Sequence, residues 1–314
     1  MLSKLFSNIK LGLSIWLVLF SIALWSTIYY LNCIDCFTNF IASNWIELAG
    51  TFTVLILSIF LSSSIFNNSF RITANNYYSP LFLAIFISWI ATPLHFEHSL
   101  EVLLIALFYL NTYNILNGTD NNQVGFHLNA GLLSFVLTWL SPIGVGFLLV
   151  SFWQATIDSH SGWRKFILPF YSFAISFLIL LGIVFLFDYQ EEFLSKFRLW
   201  NIVSVDLIQI ETNAIQITFV FIFFLLAQIE YFKALRKAPV LKRKILSILN
   251  IQFIVSLTLF ILFGSKPEHL LATLFALSVL FANYLQYIKL FMLRELLIWI
   301  SILVGVVSVS ITLL

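Results

Sequence analysis

Charge is what this sequence has least of. Asp, Glu, Lys and Arg make up 10% of the 314 residues, where a soluble globular domain carries about 25%. A water-soluble core of this size needs a charged shell, and the charges for one are absent. Proline (6) and glycine (11) are also sparse, and no Pro/Gly/Ser-rich stretch interrupts the chain. That excludes a flexible linker and predicts one transmembrane domain over residues 1–314. The net charge of +2 is spread over many short segments, so no basic surface exists for nucleic acid, which is excluded as a partner. Cysteine occurs only twice, as Cys33 and Cys36. A single CxxC without a second pair is a weak zinc signal. It is consistent with a redox pair, with a local disulfide if it faces an oxidising compartment, or with two unrelated thiols. The expectation is no resident metal and no cofactor.

What the sequence has in abundance is apolar length. Hydrophobic residues make up 61% and there are 35 phenylalanines. Runs of 17 or more apolar residues recur, each enough to cross about 30 Å of hydrocarbon. Backbone in lipid must satisfy its own hydrogen bonds, so the spans are helices or a closed barrel. A barrel alternates apolar and polar residues, whereas Phe219–Ala227 (FVFIFFLLA) is apolar on every side. The predicted fold class is therefore all-α, a polytopic transmembrane helical bundle of about ten or eleven spans with the lipid bilayer as its main partner. The spans are Leu11–Tyr30, Trp45–Phe66, Pro80–Leu94, Leu100–Leu116, Leu128–Leu140, Val145–Ile157, Phe166–Phe187, Leu207–Phe232, Ile245–Gly264, Leu270–Ile288 and Leu296–Leu314. The first resembles a signal-peptide core but has no small-x-small cleavage site after it. The segment Ser141–Gly146 (SPIGVG) separates two short spans, leaving residues 128–157 as two thin helices or a re-entrant hairpin.

Orientation follows from the cations, which are retained on the cytoplasmic side. With the N-terminus inside, 13 of the 16 Lys and Arg fall inside, and only Lys196, Arg198 and Lys266 fall outside. Six of the 13 lie in Lys233–Lys244 (KALRKAPVLKRK), read as a cytoplasmic loop. The segment Asp188–Glu211 reads as the longest outer loop, its aromatic and charged residues suiting a short interfacial helix.

Two groups of polar residues are candidates for function, because polar groups in spans are costly. Side-chain amides gather toward the cytoplasmic ends of the spans: Asn111, Asn114, Asn129, Gln154, Gln228, Asn250 and Asn283, with Gln252, Gln286, His127, Asp158 and Glu230 at the same level. A polar, substrate-binding cavity open to the cytoplasm produces this pattern, and so does ordinary hydrogen bonding between helices. The second group is His95, Glu97, His98 and Glu101 at the outer surface. With Asp35 from the first outer loop, Glu97, His98 and Glu101 are the candidates for acid–base catalysis. A solvated helix start explains them equally well, since Glu favours a first turn.

The stretch Asn129–Asp188 resembles a family of Bacteroidota inner-membrane proteins of unassigned function. The elements that carry the likeness are Asn129-Ala130-Gly131-Leu132, Pro142 and Trp163-Arg164. The resemblance implies a bacterial inner-membrane location. A carotene-oxygenase activity inferred for some members requires several histidines around iron. Here His95, His98 and His269 fall outside while His127 and His160 fall inside, so they cannot share one metal. A weaker likeness to the membrane part of polyprenyl-phosphate-sugar glycosyltransferases implies an acidic residue in a large first outer loop. This chain offers Asp35 in the short loop Leu31–Asn44. The leading expectation is a transporter or an envelope-assembly component with other envelope membrane proteins as partners. The alternative is an enzyme acting on a lipid-linked substrate at the outer face.

Overall fold

The computed structural model of the chain describes residues 78–87, 99–118, 124–157, 163–191, 207–262 and 267–311, together with 23 and 56. Among the described residues all regular secondary structure is α-helical, as the composition predicts. The helices are α1 (Tyr78–Ile87), α2 (Ser99–Asn117), α3 (Val124–Leu140), α4 (Ile143–Ile157), α5 (Arg164–Leu186), α6 (Leu207–Lys237), α7 (Val240–Leu262), α8 (Pro267–Tyr287) and α9 (Phe291–Ile311). Four segments of them, Lys165–Leu186, Ile217–Lys237, Val240–Leu262 and Leu270–Tyr287, are long and apolar enough to cross a membrane. The spans expected at Leu11–Tyr30 and Trp45–Phe66, and the pair Cys33 and Cys36, lie outside the described residues.

Several helix ends differ from the predicted spans for one reason. Hydropathy marks where lipid ends, whereas a helix continues until its backbone is stopped. Lys233–Lys244 is not a loop. Its cations occupy the last turns of α6 and the first turns of α7, and only Ala238 and Pro239 stand between the two helices. Lys, Arg, Ala and Leu are good helix formers, and Pro239, which cannot continue a helix, makes the break. Likewise residues 207–211 of the expected outer loop are the first turn of α6, and α3 begins four residues before the expected Leu128.

The chain packs as two compact units. One contains α1, α6 from Glu211, α8 from Leu274, and α9. Its core is a cluster of rings around Phe281, which meets Phe82 at 4.9 Å and Phe223 at 4.6 Å, both edge-on. Phe86 joins through Phe223 at 6.0 Å. Edge-to-face pairs of this kind add about 0.5–1.5 kcal/mol each beyond the area they bury. Helix α1 is buried on all sides from Tyr78 to Phe86, which is why its sequence shows no amphipathic stripe. At its head the guanidinium of Arg294 donates a hydrogen bond to the Tyr78 hydroxyl.

The other unit holds α2 from Ala106, then α3, α4, α5, α7 and the start of α8 up to Thr273. Here helices approach through residues that lack side chains, the usual device where lipid removes the hydrophobic drive for association. Gly131 of α3 lies directly on the backbone of Pro169 in α5. Gly144 of α4 lies on the backbone of Ser134 and Thr138 in α3, and Gly146 faces Val255 and Leu259 of α7. The SPIGVG segment is a tight turn. Ser141 N–H donates to the Leu137 carbonyl, and Pro142 precedes α4 where its missing N–H costs nothing. The two helices it joins have 17 and 15 residues, about 25 and 22 Å long, shorter than the bilayer core. By contrast α5 turns most of its surface outward, with Ile175, Leu178, Ile179, Ile183 and Leu186 exposed, and it ends in a Schellman turn. Asp188 takes the left-handed position (φ 55°), and Tyr189 N–H reaches back to the Val184 carbonyl at 3.0 Å.

The glycines give a paired prediction. A Cβ at Gly131 would meet the carbonyl and Cα of Pro169, which are backbone and cannot rotate away. A Cβ at Gly182, on the same helix pair's outer helix, would meet nothing within 4 Å. Gly131→Ala should lower stability by at least about 2 kcal/mol. Gly182→Ala should raise it by about 0.5–1 kcal/mol, because alanine favours the helix over glycine. Thermal unfolding of the two variants in the same detergent checks both signs.

Candidate functional site

Polar side chains inside the second unit fall on one face of α3. His127, Gly131, Ser134, Thr138 and Ser141 recur at alternating steps of four and three, and all are buried. That spacing keeps them on one side of a helix. The neighbouring helices bring partners to it in register. On α2, Asn111 Nδ2 donates to Ser134 Oγ at 3.0 Å. Seven residues on, Gly118 lies opposite His127, itself seven residues before Ser134. The two helices are thus antiparallel neighbours with two polar levels about 10 Å apart.

At the level nearer the helix ends, α4 contributes Gln154. Its Nε2 comes up against the place a Cβ of Gly118 would fill, and His127 Cε1 is 3.3 Å from that same point. Gln154 and His127 are each 1% exposed. Gly118 sits just past the end of α2, its N–H bonded to the Asn114 carbonyl at 2.9 Å. Three helix ends therefore meet at one buried polar contact, made possible by the missing side chain at residue 118.

The hydroxyls and amides around this contact differ in whether the fold satisfies them. Thr138 Oγ1 donates to the Ser134 carbonyl at 2.7 Å and Ser151 Oγ to the Phe147 carbonyl at 2.9 Å, the back-bonding that lets a hydroxyl sit in a helix interior. Asn114 Nδ2 donates to the Leu110 carbonyl in the same way. Gln154 is different: neither Nε2 nor Oε1 has a hydrogen-bond partner, and Asn111 Oδ1 has none either. A buried amide left unmet costs about 1–3 kcal/mol, and no lipid atom can meet it.

Of the predicted substrate-binding residues, Asn111, Asn114 and Gln154 are buried within this unit, Asn111 at the deeper polar level and Gln154 at the level of Gly118. Asn129 is instead exposed on α3. Two residues past His127, it stands about 200° around the helix, so it and His127 cannot share a face. Asn250 is half-buried, while Gln252, two residues on, takes the buried face of α7 with its Nε2 unmet. Gln228, Glu230 and Asn283 belong to the other unit. Glu230 is 9% exposed and engaged by Lys233 one turn on, at 2.6 Å, so its charge is already paired. Asn283 is buried there with Oδ1 unmet. Ser134 and Gly118 were not predicted. The four-three spacing along α3 signals Ser134, but nothing in the sequence signals that Gly118 faces an amide 36 residues away.

The predicted catalytic residues Asp35, Glu97 and His98 lie outside the described residues. Glu101 is in the first turn of α2 and its side chain is not among those described. Among the described residues no three of His, Cys, Asp and Glu come together as metal ligands. No family model, curated protein or solved structure matches this chain. The class that fold and site define is a polytopic helical membrane protein with an uncharged polar site buried among its short helices.

If Gln154 is held unsatisfied by the fold, replacing it by the nearly isosteric methionine should stabilise the protein, by about 1–3 kcal/mol. A raised melting temperature for Gln154→Met in detergent is the expected result. A melting temperature several degrees lower would mean that the amide is a structural bond donor instead.

Proposed function

We propose that this chain is a transporter of small polar solutes in a bacterial inner membrane, with its N-terminus cytoplasmic and the buried polar groups around Gln154 on its solute path. The observation that carries the reading is Gln154. A doubly unmet amide at 1% exposure is expensive to keep in a membrane-embedded fold, and a polar group kept at such cost is a place to look for function. Three further features support it. The polar levels continue inward from Gly118 and His127 to Asn111 and Ser134, about 10 Å along the helices, a third of the hydrocarbon thickness. The helices α3 and α4 that carry the site are too short to span by themselves, as in transporters whose broken or short helices face a polar path. Finally, the Lys and Arg asymmetry puts this end of α2, α3 and α4 on the cytoplasmic side.

A role in envelope assembly shares the same fold but gives no reason for an unmet amide in the interior.

Transport is tested with purified protein in proteoliposomes, following influx of a mixed panel of small solutes by stopped-flow light scattering. Influx above that of protein-free vesicles is expected, reduced about tenfold in Asn111→Leu, since one lost hydrogen bond to a buried polar site is worth about 1.4 kcal/mol. Influx no faster than in protein-free vesicles, with a stoichiometric membrane partner after mild solubilisation, would instead support the assembly role.

A further inference from the structure

The exposed face of α6 has an order along the helix that a merely lipid-facing surface does not need. Ile222, Leu225, Ile229, Phe232 and Arg236 are all exposed, and their steps of three and four place them on one side of the helix. Four large apolar side chains are thus followed by a guanidinium at the end of the membrane-length segment Ile217–Lys237. Lys237, also exposed, is the last residue of α6. We propose that this face binds an anionic phospholipid, its phosphate held by Arg236 and Lys237 and an acyl chain lying along Phe232, Ile229, Leu225 and Ile222. The inference stands apart from the transport reading and needs nothing from the surroundings of Gln154.

The dimensions fit one leaflet. The stripe from Ile222 to Phe232 rises about 15 Å along the helix, half of the roughly 30 Å hydrocarbon core. At its foot the Phe232 ring meets Tyr231 edge-on, centroids 5.5 Å apart, and aromatic rings favour the headgroup boundary. The charge complements a phosphate. The neighbouring acid, Glu230, is buried and engaged by Lys233 at 2.6 Å. Among the described residues no acidic side chain pairs with Arg236 or Lys237. The helix C-terminus carries about half a negative charge, which offsets part of one cation and leaves this end positive. Arginine's planar fork and the lysine ammonium both suit phosphate oxygens. A choline headgroup brings its own cation beside them, so a headgroup of net negative charge is preferred. A protein helix is the poorer occupant. Helices in lipid associate through small residues, and this stripe has none, whereas a flexible acyl chain fills the gaps between large side chains.

The test uses the purified full chain in detergent micelles, titrated with dioctanoyl-phosphatidylglycerol, dioctanoyl-phosphatidylcholine or glycerol phosphate, with thermal stabilisation reporting binding. Phosphatidylglycerol should bind at least about tenfold tighter than phosphatidylcholine. Glycerol phosphate, which has the phosphate without the chains, should not stabilise at the same concentrations. In Arg236→Gln/Lys237→Gln the two lipids should bind alike, while the melting temperature without added lipid stays that of wild type, since both side chains are exposed. Leu225→Ser/Ile229→Ser keeps the cations and shortens the apolar stripe. It should weaken phosphatidylglycerol binding by about threefold or more. Equal affinity of wild type for the two lipids would overturn the proposal. So would a preference undiminished in Arg236→Gln/Lys237→Gln, binding undiminished in Leu225→Ser/Ile229→Ser, or stabilisation by glycerol phosphate that matches the lipid's.

Discussion

A polar atom in the interior of a membrane-embedded helix has no water to turn to, and that constraint orders most of what is seen here. The backbone answers it by taking the α-helix as its only regular structure among the described residues. Serine and threonine answer it by bonding back to a carbonyl three or four residues earlier: Thr138, Ser151, Ser176, Thr258, Ser278 and Ser301 all do so. Asn114 answers it in the same way, and Glu230 by its lysine neighbour. Not every buried group is met: Ser79 Oγ, Thr112 Oγ1, Asn111 Oδ1, Gln252 Nε2 and Asn283 Oδ1 have no partner, and Gln154 has none at either amide atom.

The packing around Gln154 depends on a second constraint. Apolar side chains gain nothing from leaving lipid for one another, so helices are held by close approach and by fitted rings. In the unit that carries the site, Gly131, Gly144 and Gly146 let α3, α4, α5 and α7 come together. Phe108 on Phe147 and Phe135 on Phe173, at 5.1 and 5.6 Å and nearly perpendicular, fill the gaps between. The short hairpin of α3 and α4 thus has one residue of α3, Gly131, packed on α5, while the end that carries His127 and Gln154 packs on the end of α2 at Gly118.

Much of this was legible in the sequence because membrane segments announce themselves by composition. The all-helical class and the break at Pro142 both follow from hydropathy and residue type. What could not be read was which way each amide faces. Asn129 and His127 sit at the same depth, yet 200° of helical rotation separates a surface residue from a site residue. Asn250 and Gln252 repeat the lesson on α7. A nearly uniform apolar background gives no amphipathic stripe from which to assign faces. The basic stretch Lys233–Lys244 misled for a related reason: charge reports where lipid stops, not where a helix stops. Gly118 was invisible because its role lies in an atom it lacks.

The central claim is that the interior face of α4 at Gln154 is open to solute from the cytoplasmic side, while the interior around it is closed. The direct measurement is thiol labelling in inside-out membrane vesicles, in a background with Cys33 and Cys36 replaced by serine. The account predicts that a membrane-impermeant methanethiosulfonate reagent modifies Gln154→Cys. It predicts that Ala155→Cys, one residue on and fully buried on another face of the same helix, stays unmodified. Failure to label Gln154→Cys from either side of the membrane, or equal labelling of Ala155→Cys, would contradict it.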